Sequence, residues 1–271
     1  MQKYLFYLLL ALLTISCNRP ERKRNFICFL DLSRSIDAKK FNEYTDILVK
    51  DIYQNLDVND QIRIYPLDYA SRIKNDPIFY EDLAAFDLSG KIKTTSHHES
   101  EARKLIRAHT MAFADSLVSV ILNFKDSRSA LAFETDILGA LEKIYREKVD
   151  QEKLSGWESF GSYVSGDKVY EVENYVLLFS DMIHNGAGAN FNHMSSITRA
   201  EEELKRLTEG RGIPDMTEIQ VYVNGITAAN NKSLDAIEHF WQEYFKRSNA
   251  RVHCLNYNCG NDINRDLRLK D

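Results

Sequence analysis

The chain has 271 residues, a formal net charge of -5, 44% hydrophobic residues and 28% charged residues. This length allows one large domain or two small ones, and this composition is that of a soluble protein able to form a sizeable core. The net negative charge argues against a nucleic-acid partner.

Residues 1–16 are predicted to be a signal peptide outside the folded domain. Lys3 supplies a positive start, and residues 4–15 are apolar but too few to span a bilayer. Residues 13–17 read Leu-Thr-Ile-Ser-Cys and resemble a bacterial lipobox, although Thr14 stands where Leu is commonest. The resemblance implies cleavage before Cys17 and lipidation of its thiol. An uncleaved anchor, or a signal cut elsewhere, is the alternative.

Residues 17–24 are interpreted as the lipidated Cys17 followed by a short tether that carries four cations and one anion. Beside a lipid anchor such a segment is expected either to lie on anionic headgroups or simply to be solvated. We therefore expect a protein anchored in the bacterial cell envelope. Many surface lipoproteins of Bacteroidetes carry acidic residues after the lipidated Cys, whereas this chain has basic ones. For a source of that kind, this comparison implies that the periplasmic side is favoured over the cell surface.

The segment around which the fold is expected to form is the apolar run 26–30, followed by Asp31-Leu32-Ser33-Arg34-Ser35. A run that is apolar on both faces indicates a strand buried within a parallel sheet. Ligands of open α/β sheets lie just beyond the carboxyl ends of strands, where one carboxylate and two hydroxyls would meet here. Oxygen ligands with few carboxylates suit Mg²⁺, with Mn²⁺ as an alternative, rather than zinc. Taken alone, the pattern also fits a solvated turn in which Ser35 caps a helix.

An amphipathic helix is predicted next, because apolar residues recur at helical spacing between Phe41 and Leu56. Ile62 and Ile64 indicate a second strand, nearer the sheet edge and ended by Pro66. Residues 68–130 are interpreted as an insertion, in which Ser96-His97-His98-Glu99 forms a capping box that starts a long helix. His97 and His98 are expected to be exposed residues at this helix start, because the second His of a two-His zinc motif is missing.

Two later segments contain oxygen-bearing side chains of the same kind. Residues 133–141 place Thr135 just before a helix predicted over Ile137 to Lys148. Residues 175–181 form a second continuous apolar run that closes with Ser180 and Asp181. Both therefore offer ligands beside a strand end or a helix start.

In this order and context, the three segments resemble the metal-ion-dependent adhesion site of the von Willebrand factor type A (vWA) family. The resemblance covers residues 25–271 and implies a doubly wound α/β fold with a mostly parallel sheet between helices. It implies Mg²⁺ held directly by hydroxyls and mainly through water by carboxylates, the set being Asp31, Ser33, Ser35, Thr135 and Asp181. A protein partner's Asp or Glu would complete the coordination. Met182 stands where the family usually has Gly, so the geometry of the outer loop is in question.

The remaining elements follow from composition and periodicity. Residues 151–169 are predicted to be a loop or hairpin, and residues 185–190 a flexible loop beside the metal that could gate the site. The last predicted elements are a helix over 197–207, a strand over 218–226, a helix over 234–245 and a strand over 252–257. Cys28 is expected to be a buried thiol, whereas the spacing of Cys254 and Cys259 permits a disulfide without establishing it.

The predicted function is binding rather than catalysis. A hydrolase of the haloacid-dehalogenase type would need a second Asp two residues after Asp31, and Ser33 stands there instead. The sequence also contains no Gly-x-Ser-x-Gly nucleophile motif and no phosphate-binding loop. The alternative kept open is a scaffold protein with a structural metal, whose interface is the 68–130 insertion.

Overall fold

The computed structural model describes residues 21–33, 35–68, 76–83, 96–128, 135–154, 162–165, 168–186, 189 and 191–267. Within them, seven strands form one sheet in the order β3-β2-β1-β5-β6-β7, and β4 pairs with the first part of β5. The strands are β1 (Glu21–Asp31), β2 (Gln61–Leu67), β3 (Phe79–Asp82), β4 (Ser162–Ser165), β5 (Lys168–Phe179), β6 (Ile219–Asn224) and β7 (Arg251–Asn256).

The predicted α/β fold is confirmed, with the first apolar strand in the middle of a mostly parallel sheet. β1 lies parallel to β2 on one side and to β5 on the other. β5, β6 and β7 continue in parallel, while β3 and β4 pair antiparallel with their neighbours. Phe26 to Leu30 are almost completely buried, as expected for a strand covered on both faces.

Helices cover both faces of this sheet. The described helices are α1 (Ala38–Asp46), α2 (Ser96–Arg128), α3 (Ile137–Leu154), α4 (Ile197–Gly210), α5 (Asn231–Arg247) and α6 (Gly260–Leu267). Ile27 and Phe29 of β1 pack in one core with residues of α3, α4 and α5. Phe26 and Cys28 point the other way, into a core shared with α1, α2 and α6. This alternation follows from the two-residue period of a strand.

The first helix departs from regular α-helical geometry. After α1 the chain continues as a π-helical segment, Ile47–Ile52, and a short 3₁₀ turn, Tyr53–Asn55. The sequence predicted a single helix from Phe41 to Leu56. The structure instead has three successive segments there, of α-, π- and 3₁₀-helical geometry, whose apolar residues face the core. Asp37 caps α1, because its carboxylate accepts a hydrogen bond from Lys40 N at 2.7 Å.

β1 begins at Glu21, earlier than the start at residue 25 expected from the sequence. The end of the expected tether therefore belongs to the sheet, where residues 21–24 pair with residues 170–173 of β5. Arg24 is buried and forms an ion pair with Asp60, and Arg22 pairs with Glu173. These arginines bind carboxylates of the fold, so the tether is shorter than expected from the sequence. Cys17 and Arg19 lie outside the described residues.

β2 does not end at Pro66, as its sequence suggested, but continues to Leu67. The Ile64 carbonyl accepts a hydrogen bond from Ile78 N on the β3 side, so Pro66, two residues on, faces the same side. Pairing with β3 involves only Gln61 to Ile64. The nitrogen of Pro66 therefore lies beyond the reach of β3, and no sheet hydrogen bond is lost there.

The long helix predicted to start at Ser96 is confirmed as α2, with 33 residues. Ala102, Ile106, Leu117 and Ile121 form a buried stripe, and the last three belong to the core that contains Phe26 and Cys28. Its segment Ser100–Ser127 is long and apolar enough to cross a membrane, judged by length and composition alone. The buried stripe shows that this helix contributes to the core.

The predicted loop or hairpin at residues 151–169 is a hairpin over its second half, where β4 pairs with the start of β5. Its first residues instead extend α3 to Leu154, and Trp157 and Phe160 lie outside the described residues.

The structure shows the state of three of the four cysteines. Cys254 and Cys259 form a disulfide, and Cys28 is a buried free thiol.

Candidate metal centre

The carboxyl ends of β1 and β5 meet in the middle of the sheet, and the predicted site lies there. From β1 the chain continues to β2 on one side, whereas β5, β6 and β7 extend on the other side. Such a point of reversal leaves a crevice between the loops that follow the two strands, which is where open α/β sheets bind ligands. Asp31 ends β1, and Asp181 follows the end of β5 by two residues.

Hydrogen bonds fix the carboxylate of Asp31 on both of its oxygens. Ser33 N donates to Asp31 Oδ1 at 2.8 Å, and Ser180 Oγ donates to Asp31 Oδ2 at 2.7 Å. The hydroxyls of Ser33 and Ser35 are hydrogen-bonded to each other at 2.7 Å. The turn after β1 therefore gathers one carboxylate and two hydroxyls in one place. Asp31 and Ser33 are buried, while Ser35 is exposed.

Asp181 is a second buried carboxylate beside Asp31. Its Oδ1 accepts from Ile183 N at 2.9 Å, and its backbone carbonyl accepts from Thr227 N at 3.2 Å. Burial raises the pKa of Asp181, while hydrogen bonds from Ile183 and Ser35 act in the opposite direction. Burial, followed by the charge of Asp181, raises the pKa of Asp31 to about 7, partly offset by hydrogen bonds from Ser33 and Ser180. Two carboxylates that are desolvated together disfavour their ionised forms, and a bound cation reverses this preference.

Thr135 joins this edge through its backbone. Its carbonyl accepts a hydrogen bond from Asn185 N at 3.1 Å, so Thr135 lies beside the loop that leaves Asp181. Thr135 is buried and directly precedes Asp136, which caps α3 by accepting from Gly139 N at 2.8 Å. The five predicted ligands therefore lie on three segments that converge on one edge of the sheet.

Two residues that the sequence analysis did not identify attach the start of α3 to the Asp181 loop. Ile137 N donates to His184 Nδ1 at 3.1 Å, and His184 is completely buried. Gly186 lies so close to Asp136 that a Cβ there would be 2.7 Å from its Oδ1. Asp136 directly precedes α3, a position where Asp commonly caps a helix, so its capping role could be recognised in the sequence. Nothing in the sequence around His184 indicated its role.

Met182, the residue that raised a question about the outer loop on sequence grounds, has a backbone conformation that Gly favours. Its φ angle is +63°, in the left-handed region. The side chain is completely buried, and the Met182 carbonyl accepts from Trp241 Nε1 at 3.0 Å. Core packing and this hydrogen bond hold the turn despite the Cβ.

Tyr44 of α1 reaches under the same edge of the sheet. It is completely buried, and its hydroxyl has no hydrogen-bond partner among the described residues. Burial, together with the charges of Asp31 and Asp181, raises its pKa. The hydroxyl lies against Gly225, where an added Cβ would be 1.8 Å from Tyr44 Oη and 2.8 Å from the carbonyl oxygen of Ser180.

Gly225→Ala is expected to destabilise the protein by about 2–3 kcal/mol, because it adds a clash to a φ of +118°. Urea unfolding monitored by tryptophan fluorescence would measure the change. Gly210→Ala is the matched control: an added Cβ there meets nothing within 4 Å, so its effect should be small or stabilising. Equal stabilities of the two variants would contradict the close packing of Tyr44 on Gly225.

Among the described residues there is no group of three or more His, Cys, Asp or Glu side chains placed to hold a metal ion. The predicted set has two carboxylates and three hydroxyls. It therefore contains only two residues of these four types, and its other ligands are Ser and Thr. Its donors are all hard oxygen atoms, which fit Mg²⁺ and not zinc. Ser180, which binds Asp31 directly, was visible in the sequence beside Asp181 but was not expected to take part.

No protein family and no curated protein matches the sequence. Solved structures that resemble the chain include proximal thread matrix protein 1 from the mussel byssus, at 15% identity and a TM-score of 0.37. Another is the human COPII-coat protein Sec24c, at 10% identity and a TM-score of 0.39. The matches cover 93% and 92% of this chain but only 48% and 32% of those chains. Similarity at this level carries no information on function.

Proposed function

We propose that this chain is a vWA-type binding domain that captures a protein partner through a Mg²⁺-dependent adhesion site. Asp31, Ser33, Ser35, Thr135 and Asp181 would hold the ion. A carboxylate from an Asp or Glu of the partner would complete the coordination shell. No nucleophile is needed, because the reaction is reversible ligand exchange at the metal.

The observation that carries this proposal is the pair of buried carboxylates, Asp31 and Asp181, at the reversal point of the sheet. Neither forms an ion pair with a described Lys, Arg or His. Burying two like charges together is costly unless a cation neutralises them. By contrast, the buried carboxylate of Asp60 is neutralised by Arg24.

The proposed division of roles follows the hydrogen bonds. Both oxygens of Asp31 already accept hydrogen bonds, which leaves them better suited to orient metal-bound water than to surround the ion. The hydroxyls of Ser33 and Ser35 lie within one hydrogen bond of each other and can turn their lone pairs toward the ion. Few direct carboxylate ligands leave Mg²⁺ electrophilic enough to attract an external carboxylate.

The test is a calorimetric titration of the full-length protein in detergent with MgCl₂ after treatment with EDTA. We expect one site per chain, and pull-down from native membranes should recover a partner with Mg²⁺ but not with EDTA. A protein that binds neither Mg²⁺ nor Mn²⁺ would overturn the proposal.

A second candidate function is a scaffold whose interface is the inserted α2 region and whose metal is structural. Leu105 and Met111 of α2 favour it, because they are 50% and 58% exposed although apolar. This candidate predicts partner capture that survives EDTA, so the same pull-down separates the two.

We also propose that the domain is anchored on the periplasmic side of the cell envelope through lipid on Cys17. The disulfide between Cys254 and Cys259 supports an oxidising compartment, since such bonds are rare in the cytosol. Incorporation of labelled palmitate into the protein, and its loss in Cys17→Ala, would test the anchor. Lipidation of the Cys17→Ala variant would contradict it.

A further inference from the structure

Lys125, near the end of α2, lies beside the candidate metal centre although it is distant from it in sequence. Its ammonium group stands over the ring of Phe41, 3.6 Å from the ring centroid. Phe41 belongs to the first turns of α1, the helix that starts directly after the Asp31–Ser35 turn. Among nearby carboxylates, the adjacent Asp126 acts most strongly on the charge of Lys125, followed by Asp31 and Asp37.

This lysine is unusual among the cations of the fold. Most buried or half-buried cations bind a carboxylate, as Arg24 binds Asp60 and Arg63 binds Glu147 at 3.2 Å. Lys125 is half-buried, and its described contact is the aromatic ring, which attracts the charge without neutralising it. The stacking holds the side chain in place and leaves its three N–H groups available to an anion.

The neighbouring Lys40 shows the contrast. It also stacks on an aromatic ring, that of Tyr257, at 3.6 Å. However, its ammonium donates to Glu43 at 3.1 Å and to the Tyr257 carbonyl at 2.8 Å. Its hydrogen bonds are used within the fold, so Lys40 has a structural role that Lys125 lacks.

We propose that Lys125 is a specificity-determining residue of the adhesion site, which selects partners that present two carboxylates close together. One carboxylate would bind the metal, and the other would pair with the ammonium of Lys125. The preferred ligand is thus an acidic pair on a protein surface rather than a single Asp or Glu. This inference rests on the proposed metal-dependent function and adds the chemistry of its ligand.

The placement of Lys125 explains what the inserted helix contributes to binding. α2 is anchored along its length, because Ala102, Ile106, Leu117 and Ile121 are buried and the last three belong to the core that contains Phe26 and Cys28. At its start, Arg103 also pairs with Asp57 at 3.3 Å. A rigid helix fixed at many points can hold one cation at a constant distance from the metal, which a flexible loop could not do.

The test uses small carboxylates as probes with the full-length protein loaded with Mn²⁺. Paramagnetic relaxation of probe protons reports binding at the metal, and titrations with acetate, malonate, glutarate and adipate compare one carboxylate with two at increasing spacing. We expect at least one dicarboxylate to bind about five- to tenfold more tightly than acetate. Lys125→Met should abolish that preference, whereas Lys125→Arg should retain most of it.

Lys104→Met is the matched control, since Lys104 is an exposed lysine on the same helix, about six turns from Lys125. Each variant is judged by the ratio of its affinity for a dicarboxylate to its affinity for acetate. Losing one positive charge weakens the binding of both probes, so this general effect largely cancels in the ratio. The inference is overturned if the wild-type protein shows no such preference, or if Lys125→Met keeps it. Absence of Mn²⁺ binding would instead overturn the proposed function itself, and the inference with it.

Discussion

Asp31→Asn is expected to weaken Mg²⁺ binding by at least about 100-fold while leaving the fold intact. The side chain keeps its size, and the amide oxygen can still accept the hydrogen bond that Ser33 N donates at 2.8 Å. The hydroxyl of Ser180 now donates to Asp31 at 2.7 Å and could accept from the amide nitrogen in the variant. What is lost is the negative charge that the cation needs. Calorimetric titration with MgCl₂, and circular dichroism to check the fold, would measure the two parts of this result.

Asp37→Asn is the control for this variant. Asp37 lies in the same turn but is exposed, and its carboxylate caps α1 through Lys40 N. Asn caps helices about as well as Asp, so Mg²⁺ binding and stability should stay close to those of the wild type. If Asp31→Asn and Asp37→Asn both bind Mg²⁺ normally, the ion is held elsewhere.

The sequence allowed the fold to be predicted because its strongest signals are local. The continuous apolar runs at 26–30 and 175–179 require burial on both faces, which only the middle of a sheet provides. Residues 62–64 alternate weakly, as suits a strand next to the edge strand β3. The start of β1 was missed because Glu21 to Arg24 read as a solvated segment. The ion pairs of Arg24 and Arg22 within this segment form with partners distant in sequence, Asp60 and Glu173.

Only part of the site could be predicted in the same way. Ligand types at strand ends are visible in the sequence, and these gave Asp31 and Asp181. The contacts that bring the three segments together are not visible. Ile137 N to His184 Nδ1 spans 47 positions, and Ser180 to Asp31 spans 149. The backbone conformation of Met182 could not be predicted either. The left-handed φ of this non-Gly residue is held by Trp241 and by core packing, which involve residues distant in sequence.

The stability of the metal-free protein is expected to fall as the pH rises from about 4 to about 7. Burial and the neighbouring Asp181 raise the pKa of Asp31 from 3.8 to about 7 in the folded protein. Between these values the folded state binds more protons than the unfolded chain, so deprotonation favours unfolding. Below pH 4 Asp31 is protonated in both states and the penalty is absent. Above pH 7 the penalty is complete, at about 4 kcal/mol.

The measurement is urea unfolding in EDTA at several pH values, for the wild type and for Asp31→Asn. Other groups titrate too: the pKa values of Asp215 and Asp266, for example, are lowered by hydrogen bonds to Thr217 and Arg265, and act in the opposite direction. These groups are common to both proteins, so the difference between the two curves reports Asp31 together with its effect on the neighbouring Asp181. We expect the variant to be more stable than the wild type at pH 8, by about 2–4 kcal/mol, and to lose this advantage near pH 4.

Adding Mg²⁺ at pH 8 should remove the advantage of the variant. An ion that binds only the folded wild type stabilises it by about 2.7 kcal/mol at a concentration of 100 Kd and by about 4.1 kcal/mol at 1,000 Kd. The variant should gain almost nothing, because its site lacks the charge that holds the ion. The same carboxylate would then destabilise the metal-free fold and bind the metal in the loaded one, as expected if the buried pair is kept for ion binding rather than for stability. Parallel pH curves for the two proteins in EDTA would show that burial of the Asp31 carboxylate does not destabilise the fold. Equal stabilisation of both proteins by Mg²⁺ would show that Asp31 is not a ligand.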